Sequence, residues 1–281
     1  MSGDIAIVCY IDKDQWIEQE FLWLLKSWYY SGGWMVSDLV VFHHPDVQGL
    51  PVDNSIKYIP LQAFADKYPE WTGYRFINSI GYMSEPEAGI LAEYKYVLRT
   101  DCDCFLTPYF RNFRPRLTTF GAGQYAETPE VVHRLTDIAA KWGIAPGFNN
   151  IGSTVMGFAS RVITYSLIQL EFCKKLREEE FKDGMGQWPG WWFGTLSMYA
   201  GQLAAWAYFG PNMTMGGLDC HCLSHDDISP SDYHIHAWHT YEHFSKFNWR
   251  EGKYRGRDMG SLDITKIADY CLWIAGDGPC G

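Results

Sequence analysis

An α/β fold with a mostly parallel central sheet flanked by helices is predicted by three observations on this sequence. The run "IAIVCYI" (5–11) is continuously apolar and rich in β-branched residues, which suits a strand buried on both faces. Next comes "KDQWIEQEFLWLLKSWYYSG", where Trp16, Phe21, Leu24, Leu25 and Trp28 recur at helical spacing. Two further strand-like segments, "DLVVFHHP" (38–45), stopped by Pro45, and "SIKYIPL" (55–61), continue the alternation expected of βαβ units.

The remaining elements follow in order. "SEPEAGILAEYKYVLRTDCDCFL" reads as a helix running into a strand, and "RLTTFGAGQYA" (116–126) as another strand. A helix is expected from "TPEVVHRLTDIAAKWG", capped by Thr128 with Pro129 in its first turn. "GFNNIGSTVMGF" (148–158 from its Phe) turns through small residues into an apolar strand. "SRVITYSLIQLEFCKKLREEEF" is an amphipathic helix with a solvated charged end. "GWWFGTLSMYAGQLAAWAYFG" is apolar all round and therefore a buried helix, with Trp191 and Trp192 at its start. A tail rich in His and Trp, "YHIHAWHTYEHFSKFNWREGKY", precedes a last helix around "LDITKIADYCLWIAG". Without a repeat or low-complexity linker, residues 1–281 are expected to form one domain: a ligand-binding half, 1–108, and a carboxyl-side half, 109–281, that carries a smaller subdomain and the His-rich tail.

Composition narrows the function. The 281 residues are 47% hydrophobic and 17% aromatic, with 13 Trp and 18 Tyr, which excludes disorder and leaves rings to line a groove. A formal charge of −10 with scattered basic residues argues against a nucleic-acid partner, since phosphate backbones need a concentrated basic face. No stretch of about 18 apolar residues is present to span a bilayer, and no basic n-region opens the chain, so a cytoplasmic location is expected. The cysteine pairs 102/104 and 220/222 have the wrong spacing for C-x-x-C motifs, and reduced thiols are expected.

The most informative stretch is "VLRTDCDCFLTP" (97–108), where a buried strand ends on Asp101 and Asp103. Two carboxylates spaced i, i+2 at a strand end can both reach one divalent cation, and oxygen ligands suit Mg²⁺ or Mn²⁺. The carboxyl ends of parallel strands are also where open α/β sheets bind ligands. The alternative is a turn in which both acids cap local amides.

This stretch resembles the D-x-D signature of the GT-A glycosyltransferases. The resemblance implies a GT-A-like, Rossmann-like sheet and a nucleoside diphosphate sugar held through Mn²⁺ (or Mg²⁺) by Asp101 and Asp103. The upstream segment "GYRFINSIGYM" would supply Arg75 to the nucleotide, and "FNNIGSTVMGF" is similar to the turn that places Asn150, Gly152 and Ser153 near the donor sugar. The tail "HIHAWHTYEHFSKFNW" offers His239 first and His236 second, with His243, as the histidine completing the metal shell. Lys246 and Trp249 would lie in a loop closing over the diphosphate. The segment "GQWPGWWFGTLSMYAGQLAAW" resembles enzymes of algae, fungi and large DNA viruses of algae (the chlorovirus type). It implies a viral or cell-surface glycan enzyme in the host cytoplasm.

On that resemblance the reaction is transfer of a sugar, with a UDP-sugar favoured and UDP-xylose the narrowest choice, to a glycan hydroxyl. A carboxylate taking the acceptor proton is required if the enzyme inverts, and Glu127 and Asp219 are the candidates. The rings of "QWPGWW" (187–192) could stack on an acceptor sugar or belong to the core. Two other classes stay open: a metal-dependent hydrolase using Asp219, His221, Asp226 and Asp227, and a non-catalytic carbohydrate-binding protein built on the tryptophans.

Overall fold

The computed structural model describes residues 3–241 and 244–276. Its main sheet contains β1 (Ile5–Ile11), β2 (Ser37–His43), β3 (Ile56–Pro60), β4 (Tyr96–Arg99), β6 (Thr118–Ala122), β7 (Ile151–Phe158) and β8 (Met213–Met215). The spatial order is β3-β2-β1-β4-β7-β6-β8. Every neighbouring pair is parallel except those made by β7, which runs antiparallel to β4 and β6. A second sheet joins β5 (Cys104–Leu106), β10 (His234–His236) and β9 (Cys220–His221), in that order. The main sheet therefore draws strands from both sides of residue 108.

The helices are α1 (Gln15–Tyr30), the short α2 (Phe64–Lys67) and α3 (Asn78–Gly81), α4 (Pro129–Lys141), α5 (Ala159–Glu180), α6 (Leu196–Phe209), α7 (Lys246–Arg250) and α8 (Ile267–Gly276). Side-chain alternation along β1 builds the layers. Ile5, Ile7, Cys9 and Ile11 pack with Phe21, Leu24, Leu25 and Trp28 of α1 on one face. Ala6, Val8 and Tyr10 join the larger core of α5 and α6 on the other. A third cluster, around Trp23, Phe105, Ile235 and the buried face of α8, seats the second sheet against α1. Both α1 and α4 start as their caps dictate: Asp14 accepts from the Trp16 amide at 2.7 Å, and Thr128 from the Val131 amide.

Three expectations need correction. Residues 86–93 form a 3₁₀ helix rather than an α-helix, since Pro86 at its start and Gly89 within it disfavour regular α-helical hydrogen bonding. The strand expected over 116–126 is shorter, because its register with β7 shifts between Phe120 and Ala122. The buried helix begins at Leu196, not at the tryptophans, which lie in the loop before it.

Among the described residues all seven cysteines are free, and no helix is long and apolar enough to cross a membrane.

Candidate functional site

The acids of the D-x-D lie where the chain changes sheets. The strand β4 ends at Arg99, residues 100–103 bend, and β5 begins at Cys104 in the second sheet. Because β1 and β4 are parallel neighbours, Asp12, just past β1, lies on the same edge as Asp101 and Asp103. The paired acids therefore end a buried strand because the chain crosses there between two packed sheets.

Pairing of β5 with β10 sets Cys104 opposite His236 and brings the histidine tail to the acids. His236 Nε2 lies 3.3 Å from Asp103 Oδ1, and its Nδ1 3.5 Å from Asp219 Oδ1. On its other oxygen, Asp103 forms a short ion pair with the Lys246 ammonium, presented from the first residue of α7. Ser245 caps that helix, with its side chain accepting from the Asn248 amide.

Beyond Lys246, Glu20 of α1 is held by Arg250 at 2.5 Å. Arg250, Glu20, Lys246, Asp103, His236 and Asp219 thus follow one another as a series of alternating charge. The side chains of Asp103 and Lys246 are 9% and 6% exposed, so this series is screened little by water.

Electrostatics follow from burial and neighbours. Burial would push the Asp103 carboxyl up, but Lys246 and His236 outweigh it and hold it well below the usual carboxylate range. Burial also opposes charge on His236, yet Asp103 and Asp219 carry its pKa well above that of an ordinary imidazole. Asp101 is pushed up, by burial first and then by the Asp103 charge. Glu20 rises to about 7, from burial and then from Asp103, against the opposing Lys246 and Arg250.

Asp219 was expected to be accessible as a base, and the structure gives it another place. It is 1% exposed, with its carboxylate accepting from the Thr154 amide at 3.0 Å and the Thr154 hydroxyl at 2.5 Å. A Cβ on Gly121 or Gly152 would come within 2.0 Å of its Oδ2, so those glycines leave the space it fills. Gly152 therefore makes room for a carboxylate from below. The Asp219 backbone has φ +53, a left-handed conformation that Asp tolerates better than most residues. Its amide donates to His234 Nδ1 at 3.1 Å, which leaves the Nε2 proton of that ring to face the Thr100 hydroxyl at 2.8 Å. Burial drops His234 to about 4 and keeps it neutral.

The other expected residues are distributed as follows. Arg75 is gripped by Asp12, Nη2 to Oδ1 at 2.9 Å, and by Asp66, Nη1 to Oδ1 at 2.8 Å, with its side chain half exposed. Asn150 has its amide occupied by the backbone: its Oδ1 accepts from Tyr125 and Ala126, and its Nδ2 donates to the Ala126 carbonyl. Its side chain thereby shapes the loop 123–126. Glu127 is exposed just beyond that loop.

His239 is exposed and packs on the edge of Phe247, 5.5 Å between ring centres, so His236 and not His239 is the histidine against Asp103. His243 lies outside the described residues. His221 accepts from the Leu223 amide and packs on Trp238, and Asp227 pairs with Lys266; among the described residues neither belongs to a set of ligating atoms with Asp219. Sequence reasoning missed Glu20, Asp12 and His234. The first was legible as a carboxylate on the apolar stripe of α1, the second as an acid ending a buried strand.

Among the described residues two sets of ligating atoms lie within 4.8 Å of one another: Asp103, Cys104 and His236, and Cys104, Asp219 and His234. Burial raises the Cys104 thiol well above its ordinary range and leaves it a weak ligand. The carboxylate and imidazole donors suit Mn²⁺, and the ammonium seated on Asp103 shows that the position already holds a cation. The residues thus fit a divalent metal. Asp101 lines a small adjoining cavity of about 20 Å³ with Ser79, Ser153 and Ser197. A wider groove of about 300 Å³ runs past Tyr74, Arg75, Phe76, Met185, Trp192 and Phe193. Trp191 is core, stacked on Tyr199 at 4.2 Å, whereas Trp188 is exposed beside Trp192.

This architecture is similar to a crystal structure of the galactosyltransferase LgtC in complex with donor and acceptor sugar analogues. The match has a TM-score of 0.52 at 12% identity and covers 97% of this chain and 95% of that one. At such identity the likeness shows the fold alone, the GT-A fold. No curated protein matches the sequence. Residues 2–269, nearly the whole chain, match the family described as a domain of unknown function, DUF7164, and the chain belongs to that family.

Proposed function

We propose that the chain is a metal-dependent glycosyltransferase that moves a sugar from a nucleoside diphosphate sugar to a glycan hydroxyl. The observation that carries this reading is the D-x-D at the switch between two sheets of a GT-A fold, with Asp103 directly beside His236. Asp101, Asp103 and His236 would hold Mn²⁺ (or Mg²⁺), which supplies Lewis-acid neutralisation of the leaving diphosphate. Lys246 adds a positive charge on the same side, and Arg75, held by Asp12 and Asp66, is the residue proposed to meet the nucleotide.

Asp219 acts as a positioning residue that orients His236 from within the core. If the reaction inverts, Glu127 is the proposed base, as an exposed carboxylate on the carboxyl-side half. Residues 1–108 carry most of the donor side, and the remainder the acceptor side and the closing tail. The aromatic walls of the groove at Phe76 and Trp192 suit the apolar face of an acceptor sugar. A UDP-sugar is the proposed donor, UDP-xylose its narrowest form, and viral or cell-surface glycan synthesis in a host cytoplasm the setting.

The test is calorimetric titration of UDP, then GDP, into the protein with Mn²⁺ and with EDTA. An Asp101→Asn/Asp103→Asn variant shown to be folded is titrated beside it. Binding that requires both the metal and the two acids supports the reading and opens a screen of UDP-xylose, UDP-glucose and UDP-galactose for hydrolysis. No metal-dependent binding of either nucleotide overturns it.

A further inference from the structure

The Lys246 ammonium sits on Asp103 Oδ2 inside the protein, where a divalent cation held by the D-x-D needs that same carboxylate. Two cations cannot share it without strong repulsion in so dry a place. Among the described residues of the alternating series a displaced ammonium finds no carboxylate without a cation of its own. Glu20, the next carboxylate along, is already engaged by Arg250, and the far side of Asp103 belongs to His236. A buried ammonium without a counter-charge is costly, so Lys246 leaves Asp103 only when another anion receives it.

From this arrangement we propose that Lys246 is a resident counter-ion of Asp103 that a divalent metal has to displace. The metal displaces it, and the diphosphate of the incoming nucleotide becomes its new partner. The inference rests on the donor site proposed above and adds a rule of assembly. Metal alone binds weakly because it must evict Lys246 into an unpaired state. Metal with a nucleoside diphosphate binds well because the evicted ammonium is paired again. By linkage, each ligand strengthens the other by the same factor. A lysine that merely touched phosphate would give the nucleotide affinity without guarding the metal position.

The experiment reads the amine itself in the wild-type chain. Amine-reactive labelling of Lys246 is followed by mass spectrometry in EDTA, with Mg²⁺ alone, and with Mg²⁺ plus UDP. Titration of Mn²⁺, followed by its paramagnetic resonance signal, runs beside it on the wild type and on Lys246→Met.

Protection in EDTA, several-fold faster labelling with saturating Mg²⁺, and renewed protection with UDP are expected. Lys246→Met should bind Mn²⁺ alone at least tenfold more tightly than the wild type, and UDP should then raise its metal affinity by a smaller factor. If metal binds while Lys246 labelling stays at its EDTA level, the counter-ion role is overturned and the donor site stands. If neither protein binds Mn²⁺, with or without UDP, the donor-site reading itself fails. The labelling arm decides the matter even if Lys246→Met does not fold.

Discussion

Two charged networks lie along the same edge of the sheet and behave differently. At the end of β1, Arg75 is shared between Asp12 and Asp66 with half of its side chain in water. At the end of β4, Asp103 is shared between Lys246 and His236 almost entirely out of water. In the first, Asp12 is as buried as Asp103 but also accepts from the Asn78 side-chain amide, and Arg75 reaches water, so the cation can trade its partners for solvent or a ligand at modest cost. In the second, each charge is tolerable only because the next one is present. The difference lies with the cations: Arg75 is half in water and Lys246 is buried, while Asp12 and Asp103 are about equally enclosed. An exposed cluster can be adjusted one residue at a time, and a buried one only as a set.

The sharpest way to break this comparison is to remove one member of the buried set. Asp103→Ala would remove the carboxylate between Lys246 and His236, leaving them only the more distant charges of Glu20 and Asp219, and should cost roughly 3–5 kcal/mol in urea unfolding. Asp101→Ala, two residues away, removes a group whose ionisation burial already disfavours and should cost less than about 1 kcal/mol. Equal losses for the two acids would show that they are not differently embedded.

Next in size, Gly152→Ala puts a methyl group within 2.0 Å of the Asp219 carboxylate and should destabilise by roughly 1–3 kcal/mol. It should also lower metal affinity without touching a ligand, which titration of Mn²⁺ into the folded variant checks.

The pH response sharpens the comparison further. Glu20 has a folded pKa of about 7, above its ordinary value of 4.5, so the folded state holds its proton more tightly. Its contribution to stability is fully present below about pH 4.5 and is lost as pH rises through about 7. Relative to Glu20→Gln, the wild type should lose on the order of 3 kcal/mol between pH 4.5 and pH 8, measured by parallel denaturation curves. A difference flat across that window would mean that Arg250 and Lys246 keep Glu20 ionised throughout. The smallest effect is expected at the exposed network. Arg75→Ala should change stability by no more than about 1 kcal/mol, while weakening UDP binding several-fold in the calorimeter.

Much of this was legible from sequence where local rules decide. The strand β1, the capped α1 and α4, and the acids after β4 were each specified by hydrophobic period or cap residue within one short window. The partners of those acids were not. His236 stands against Asp103 because β10 pairs with β5, a contact between residues 133 positions apart, and three nearby histidines offered the same side chain. Asp219 could be taken for an accessible base because no local pattern reveals that Gly121 and Gly152 open a hole for its carboxylate. Asn150 looked like a ligand residue because the backbone amides that occupy it come from a loop some 25 residues earlier. The Glu20 role could be suspected, since a carboxylate on the apolar stripe of α1 has to meet a cation from elsewhere in the chain.

The pairing of β5 with β10 has a consequence for the order in which the molecule is made. Asp101 and Asp103 leave the ribosome long before His236 and Lys246, and closing so wide a loop is slow compared with forming the βαβ units that precede it. The nascent sheet can be complete while its D-x-D still lacks its histidine and lysine. The proposed metal site is then completed by the last elements to dock, so a chain cut short before residue 234 would keep most of the sheet and lack His236 and Lys246.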